Sequence, residues 1–116
     1  MCDFLDLTVQ HAMGNPVVGL PRHGSILTNG ERIFYGWNSR ERHPLQDRFK
    51  PHEEAVQIHA EIQAIANAVE SGITDFANYT LYVARVYRDG TTGTSKPCTG
   101  CRGAIHAFKI KNVEYT

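Results

Sequence analysis

The chain carries no surplus of charge in either sign. Twelve Lys and Arg stand against twelve Asp and Glu over 116 residues, and the formal net charge is zero. Dedicated nucleic-acid binders carry a basic excess, so the balance favours a small-molecule partner, with nucleic acid not favoured unless charge is clustered. Long apolar runs are missing, and none approaches the roughly 20 residues a membrane helix needs. The opening stretch Met1-Cys2-Asp3-Phe4-Leu5-Asp6 has two acids and no basic leader, so no secretory signal is expected and the cytoplasm is the expected compartment. Repeats and low-complexity tracts are absent, and the length suits one domain, expected over residues 1–116. Cysteine is scarce. Of the three, Cys98 and Cys101 form a C-x-x-C pair and Cys2 is left over. In a reducing compartment such a pair is a metal or redox site rather than a structural disulfide.

What is present reads as alternating helices and strands. Asp3 to Met13 has apolar residues near helical spacing, with Asp3 as N-cap and Gly14-Asn15-Pro16 as the stop. Asn29-Gly30 between two apolar runs predicts a two-residue hairpin turn, both residues at positive φ, leading into a strand Arg32–Trp37. Residues 38–57 are polar and irregular, a length at which a loop is more often functional than neutral. From about Glu53 to Glu70, Ile58, Ile62, Ile65 and Val69 recur at spacings of four, three and four, which predicts a helix with one buried stripe. Tyr79 to Val86 is a β-branched and aromatic strand, and Arg88 to Lys96 a Gly/Thr/Ser loop. Cys98 to Phe108 is expected as a helix with Pro97 at its start, and Lys109 to Tyr115 as a last short strand.

Two short stretches carry chemistry. One His and two Cys, from His59-Ala60-Glu61 and Pro97-Cys98-Thr99-Gly100-Cys101, are the ligands of a three-residue zinc site with an open fourth position. Cys98 and Cys101 lie three apart, on one face of a helix whose N-terminus favours thiolates. Glu61 would stand beside the open position without binding the metal, where a carboxylate can shuttle protons. A structural zinc ribbon would need a second C-x-x-C, and there is none. The other histidines, at 11, 23, 43, 52 and 106, show no paired zinc spacing. A thioredoxin-like redox pair belongs to a different βαβ setting.

These residues resemble the zinc-dependent cytidine/deoxycytidylate deaminase superfamily, in which H-x-E is followed by P-C-x-x-C. Gly36-Trp37-Asn38 is similar to that family's G-[YW]-N segment, and Ile110-Lys111-Asn112-Val113-Glu114-Tyr115 to the strand after its cysteine helix. The likeness spans about Ser25 to Tyr115. It implies an α/β fold, a three-layer α-β-α with a central mixed sheet in the order α-β-β-α-β-α-β, short at its C-terminal end. It also implies Zn2+ held by His59, Cys98 and Cys101, with Glu61 as the catalytic proton carrier. Asn38 and the backbone N–H of Ala60 would contact substrate, and a homo-oligomer would be expected. The sequence departs from the tRNA-type enzymes, which read Glu-Pro-Cys where Lys96-Pro97-Cys98 stands here, and the loop Tyr87 to Lys96 is enlarged.

The expected reaction is hydrolytic deamination of a free cytosine nucleotide, best read as dCMP to dUMP with release of ammonia. Arg40 and Arg42, with Arg22 and His23, are candidates for a 5′-phosphate, since guanidinium pairs well with phosphate oxygens; solvated loop charge is an equal reading of each. Trp37 could stack on a base but suits core packing better. The rivals are a deaminase of cytosine in single-stranded nucleic acid or of the free nucleoside, and a non-catalytic zinc module.

Overall fold

A computed structural model describes residues 3–49 and 57–116. Helix α1 (Phe4–Met13) starts as the sequence predicts: the Asp3 carboxylate accepts from the Leu5 N–H at 2.9 Å, and Gly14 ends it. Strands β1 (Arg22–Thr28) and β2 (Ile33–Trp37) pair antiparallel with Thr28 opposite Ile33. Their turn is therefore four residues, not two. Only Gly30 has positive φ, at 96°. Asn29 instead uses its side chain, accepting from the N–H groups of Glu31 and Arg32 at 2.9 and 2.8 Å. At Asn29 an Asx turn thus replaces the left-handed backbone that the Asn-Gly pair suggested, while Gly30 keeps it.

The polar stretch after β2 is not wholly irregular. It contains a short helix, α2 (Pro44–Arg48), with Pro44 in its first turn and the His43 ring nitrogen capping Leu45 N–H. Helix α3 (Ala60–Glu70) begins later than periodicity suggests. Residues 53–56 of the expected helix lie outside the described residues, and residues 57–59 are not helical. Ile58 is instead bridged to the incoming loop: Ser39 N–H donates to its carbonyl and its N–H donates to Glu41 O, at 3.2 and 2.9 Å. The stripe also ends early. Ile58, Ile62 and Ile65 are buried, but Val69 is 44% exposed and lines an open hollow with Pro44 and Leu45 of α2.

Strand β3 (Thr80–Val86) follows, and the expected Gly/Thr/Ser loop folds back as a two-residue strand, β4 (Thr92–Gly93), on β3. Helix α4 (Thr99–Ala107) is flanked by Cys98 and Phe108 as caps, so Pro97 precedes the helix rather than opening it. Strand β5 (Asn112–Tyr115) returns parallel to β3. The sheet runs β2-β1-β3, with β4 and β5 sharing the outer edge of β3. One parallel pair among antiparallel ones makes the sheet mixed. The crossover through α4 is what a parallel pair requires.

Alternation along the strands sorts two cores. Leu27, Leu81 and Val83 face α3 and α4, and Ala84 and Val86 pack with Ala12 of α1. The result is the expected α-β-α sandwich. Gly36 permits its tightest contact: a Cβ there would drive into the Ala60 carbonyl and reach 2.7 Å from Ala64 N. The first turn of α3 therefore rests directly on β2, and buried Ser25 donates its hydroxyl to Ala60 O at 2.7 Å.

Candidate metal centre and active site

His59 is the N-cap of α3, with extended backbone (φ −87°, ψ 155°) and no side-chain capping bond. Its imidazole is thus free to turn away from its own helix. The backbone is held from outside. Gln46 of α2, fully buried, accepts from His59 N–H at 2.9 Å and donates to Phe49 O at 3.2 Å. With the Ile58 bridge and the Ser25 bond to Ala60, this pins the chain on both sides of the imidazole.

The two cysteines arrive on α4. Cys98 is the N-cap and its sulfur accepts from Cys101 N–H at 3.5 Å. His59 Nδ1 lies 3.6 Å from Cys98 Sγ and 3.4 Å from Cys101 Sγ. Zinc–sulfur and zinc–nitrogen bonds of about 2.3 and 2.0 Å at a tetrahedral angle put N and S about 3.5 Å apart. The donors therefore fit zinc in type, number and spacing, and the three ligand atoms lie within 4.8 Å of one another. Electrostatics agree. The Cys101 thiol hydrogen-bonds Cys98 and, with His59 beside it, brings the Cys98 pKa down to about 3, while its own is pushed up by the same bond and by burial. The hydrogen bond to Cys98 raises the pKa of His59.

Glu61, in the first turn of α3, is buried, and burial raises its carboxyl pKa. It lines a cavity of about 280 Å³ with His59, Ala60 and Cys98 on one side and Asn38, Ser39, Pro21 and His23 on another. Asn38 is held by the protein. Its side-chain oxygen accepts from Asn15 at 2.7 Å and from His23 N–H at 2.9 Å, and its amide donates to Pro21 O at 2.7 Å. The oxygen is saturated, so Asn38 has only a remaining amide proton to offer a ligand.

Of the residues the sequence singled out, His59, Ala60, Glu61, Cys98 and Asn38 share this cavity, and Cys101 completes the triad from behind. Arg40 and Arg42 stand apart. Arg40 donates to Val18 O at 3.0 Å and lines a neighbouring hollow, while Arg42 lies exposed 3.8 Å from Asp47. Arg22 binds Met13 O and Tyr87 O. Trp37 stacks on His11, 4.8 Å between ring centres, and donates to His11 O at 2.8 Å, a packing role. His106 is exposed on α4. Three contributors escaped the sequence reading: Gln46, Asn15 and Lys96. Asn15 looked like a helix stop and Gln46 like loop polarity, while Lys96 was noticed only as a departure. Lys96 reaches the cavity wall because Ser95 is anchored to Val83 O at 2.8 Å and to Thr116 O at 3.0 Å.

His23 makes a stability prediction. Burial first, then the charges of Arg85 and His59, lower its pKa from 6.5 to about 4. The unfolded chain takes up this proton before the folded one does as pH falls. Stability is thus fully present above about 6.5 and is lost as pH falls through that range towards about 4. His23→Asn should flatten the fall in melting temperature over this window, read by circular dichroism. Parallel profiles for the two proteins would remove His23 as the cause.

An α-β-α sandwich that brings one His and two Cys to a cavity beside a buried carboxylate defines a zinc-site protein built for hydrolytic deamination. The chain belongs to the family described as the cytidine and deoxycytidylate deaminase zinc-binding region, whose model matches residues 8–116. No curated protein matches it. Among solved structures, cytidine deaminase from Burkholderia pseudomallei is similar at 19% identity and a TM-score of 0.63, over 90% of this chain and 75% of that one. The dCMP deaminase of cyanophage S-TIM5 is similar at 20% identity and a TM-score of 0.61, over 97% and 81%. Guanine deaminase from Bacillus subtilis, at 20% identity and a TM-score of 0.58, is covered over 61% of its length by 97% of this chain. At these identities the likeness to solved structures speaks for the fold. Among the described residues no helix is long and apolar enough to cross a membrane.

Proposed function

We propose that the protein hydrolytically deaminates a free cytosine nucleotide, best read as dCMP to dUMP with release of ammonia. The observation that carries the nucleotide is Lys96. It lines the same cavity as His59 and Glu61, where Glu61 is the one acid among the described lining residues. A cation at the mouth suits a phosphate, which a nucleoside lacks. The cavity, about 280 Å³, lies at the small end for ligand sites, about 300 Å³ and upward, and suits a single nucleotide. Likeness to a dCMP deaminase supports the reading, and likeness to cytidine and guanine deaminases leaves base and sugar to the substrate panel.

Zinc held by His59, Cys98 and Cys101 supplies an acidified water. Glu61 takes a proton from water, delivers it to ring N3 as oxygen adds at C4, and carries the next proton to the departing amine. The water oxygen becomes the uracil carbonyl and the amine leaves as ammonia. The N–H of Ala60 and the remaining amide proton of Asn38 orient the pyrimidine and sugar. Arg40 and Arg42, outside the cavity wall, leave the phosphate to Lys96.

Purified, zinc-loaded protein should release ammonia fastest from dCMP, ahead of CMP, deoxycytidine and a cytosine-containing oligonucleotide. Lys96→Ala should raise KM for dCMP about 10- to 100-fold, the worth of one charged hydrogen bond, and leave deoxycytidine unchanged. Equal loss on both would take the phosphate from Lys96, and turnover of the oligonucleotide alone would overturn the free-nucleotide reading.

A further inference from the structure

A small cavity of about 230 Å³ lies where β1 begins and β3 ends, and Arg22, Arg85 and Arg88 line it with no acid beside them. None of the three is in an ion pair among the described residues, whose two ion pairs are Arg42–Asp47 and His43–Glu70. The acid nearest in sequence, Asp89, is turned to its own loop. Its carboxylate accepts from the N–H and the hydroxyl of Thr91 at 3.0 and 2.7 Å. The zero net charge of the chain therefore averages over a real cluster.

The fold places each arginine. Arg22 donates from one terminal nitrogen to Met13 O at 3.0 Å and from the other to Tyr87 O at 2.8 Å. A guanidinium has five N–H groups, so three remain for a ligand. Arg85 stands opposite His23 in the β1–β3 pairing, its guanidinium 5.2 Å from the centre of the Tyr87 ring. Its Nε is buried without a hydrogen-bond partner. A buried donor with no acceptor is costly, and more so on a charged group. Arg88 is exposed on the turn that follows β3. Three cations gathered without a counter-charge also repel one another. Both costs have one remedy, an anion in the cavity.

We propose that this cavity is a site for free inorganic phosphate, separate from the metal cavity. Guanidinium forks match phosphate oxygens in pairs. A phosphate carries close to two charges and at least three acceptor oxygens, enough to engage all three arginines. A carboxylate brings one charge and two oxygens. The volume is below the roughly 300 Å³ at which sites for whole small molecules begin, which suits a lone phosphate and excludes a nucleotide. Leu20 and Pro21 line both cavities, while Lys96 lines only the metal one. The shared residues give the site a consequence. Pro21 O accepts from the Asn38 amide at 2.7 Å, so a phosphate on the arginines braces the wall that holds Asn38. The site uses neither dCMP nor the metal, and goes beyond the preceding reading without resting on it.

The test titrates inorganic phosphate into the full, zinc-loaded chain by calorimetry, beside chloride and acetate at matched ionic strength. Phosphate should bind one to one and raise the melting temperature with zinc content unchanged, and the other two anions should do neither. Arg88→Ala, at an exposed position, should weaken binding by about tenfold or more, the worth of one charged hydrogen bond. Arg85→Met keeps the aliphatic stem. It should abolish the phosphate response without lowering the melting temperature in chloride, which separates lost charge from lost fold. Lys96→Ala should bind phosphate as the wild type does. No binding by the wild type, equal binding of acetate, or undiminished binding by both arginine variants would each overturn the proposal. Loss of binding in Lys96→Ala would overturn it too, by moving the phosphate into the metal cavity. Turnover of dCMP is read separately, so the failure of either reading leaves the other measurable.

Discussion

Removing the metal with a chelator should lower the melting temperature by about 15 °C. The three ligands tie the N-termini of α3 and α4 together at 3.4 to 3.6 Å. An ion that binds only the folded chain, at about a thousand times its Kd, adds about 4 kcal/mol. Near this chain length each kcal/mol moves the midpoint by roughly 4 °C. Cys98→Ser is the cleanest variant for attributing the loss. Cys98 caps α4 by accepting from Cys101 N–H at 3.5 Å, and serine is itself a preferred N-cap. The helix keeps its start while the thiolate ligand is gone. Cys101→Ser would confuse the result, because Cys101 is fully buried and a hydroxyl there carries its own desolvation penalty. Scanning calorimetry with and without added zinc checks the prediction: the wild type should shift and Cys98→Ser should not. A wild-type midpoint indifferent to zinc would uncouple the site from the fold.

The metal triad was legible because its chemistry restricts residue types and spacing. Few arrangements other than a zinc site need a His-x-Glu and a Pro-Cys-x-x-Cys in that order. The layers were legible because Leu27, Leu81 and Val83 alternate with residues of the opposite face, and α1 has its cap in Asp3. Other features depend on space rather than on local pattern. A five-residue helix such as α2 has too few turns for periodicity, so Gln46 looked like loop polarity although it holds His59 in place. The start of α3 was hidden because its N-cap is a histidine turned towards two cysteines, not a Ser, Thr, Asp or Asn bonded to its own first turn. Val69 continued the stripe on paper, but it lines an open hollow under α2 rather than the core. Arg40 and Arg42 follow Asn38 closely in sequence and point to other partners. Lys96 comes into the cavity from 58 positions away, carried by Ser95. Net charge, being a sum, said nothing of where the cations gather.

Glu61→Gln should lower kcat by about 10²- to 10⁴-fold, the usual worth of a positioned proton carrier, with KM little changed and zinc content intact. Glutamine has nearly the same shape, so the packing of a residue only 6% exposed survives. It can still donate and accept hydrogen bonds but cannot take a proton from water and pass it on. The proposed substrate contacts at Asn38 and the Ala60 backbone are untouched by the change, so the loss should fall on turnover rather than binding. No other group among the described lining residues is a ready substitute. His23, its pKa lowered to about 4, is neutral near pH 7 and has little tendency to pick up a proton. Lys96, on the cavity wall, is engaged by the phosphate in the proposed complex. Single-turnover kinetics on dCMP, beside metal analysis of the same preparation, separates the outcomes. A fall in kcat with full zinc places the proton step on Glu61 and excludes a purely structural zinc module. Loss of zinc in parallel with activity would instead make Glu61 a support of the metal site, and undiminished turnover would send the proton by another route.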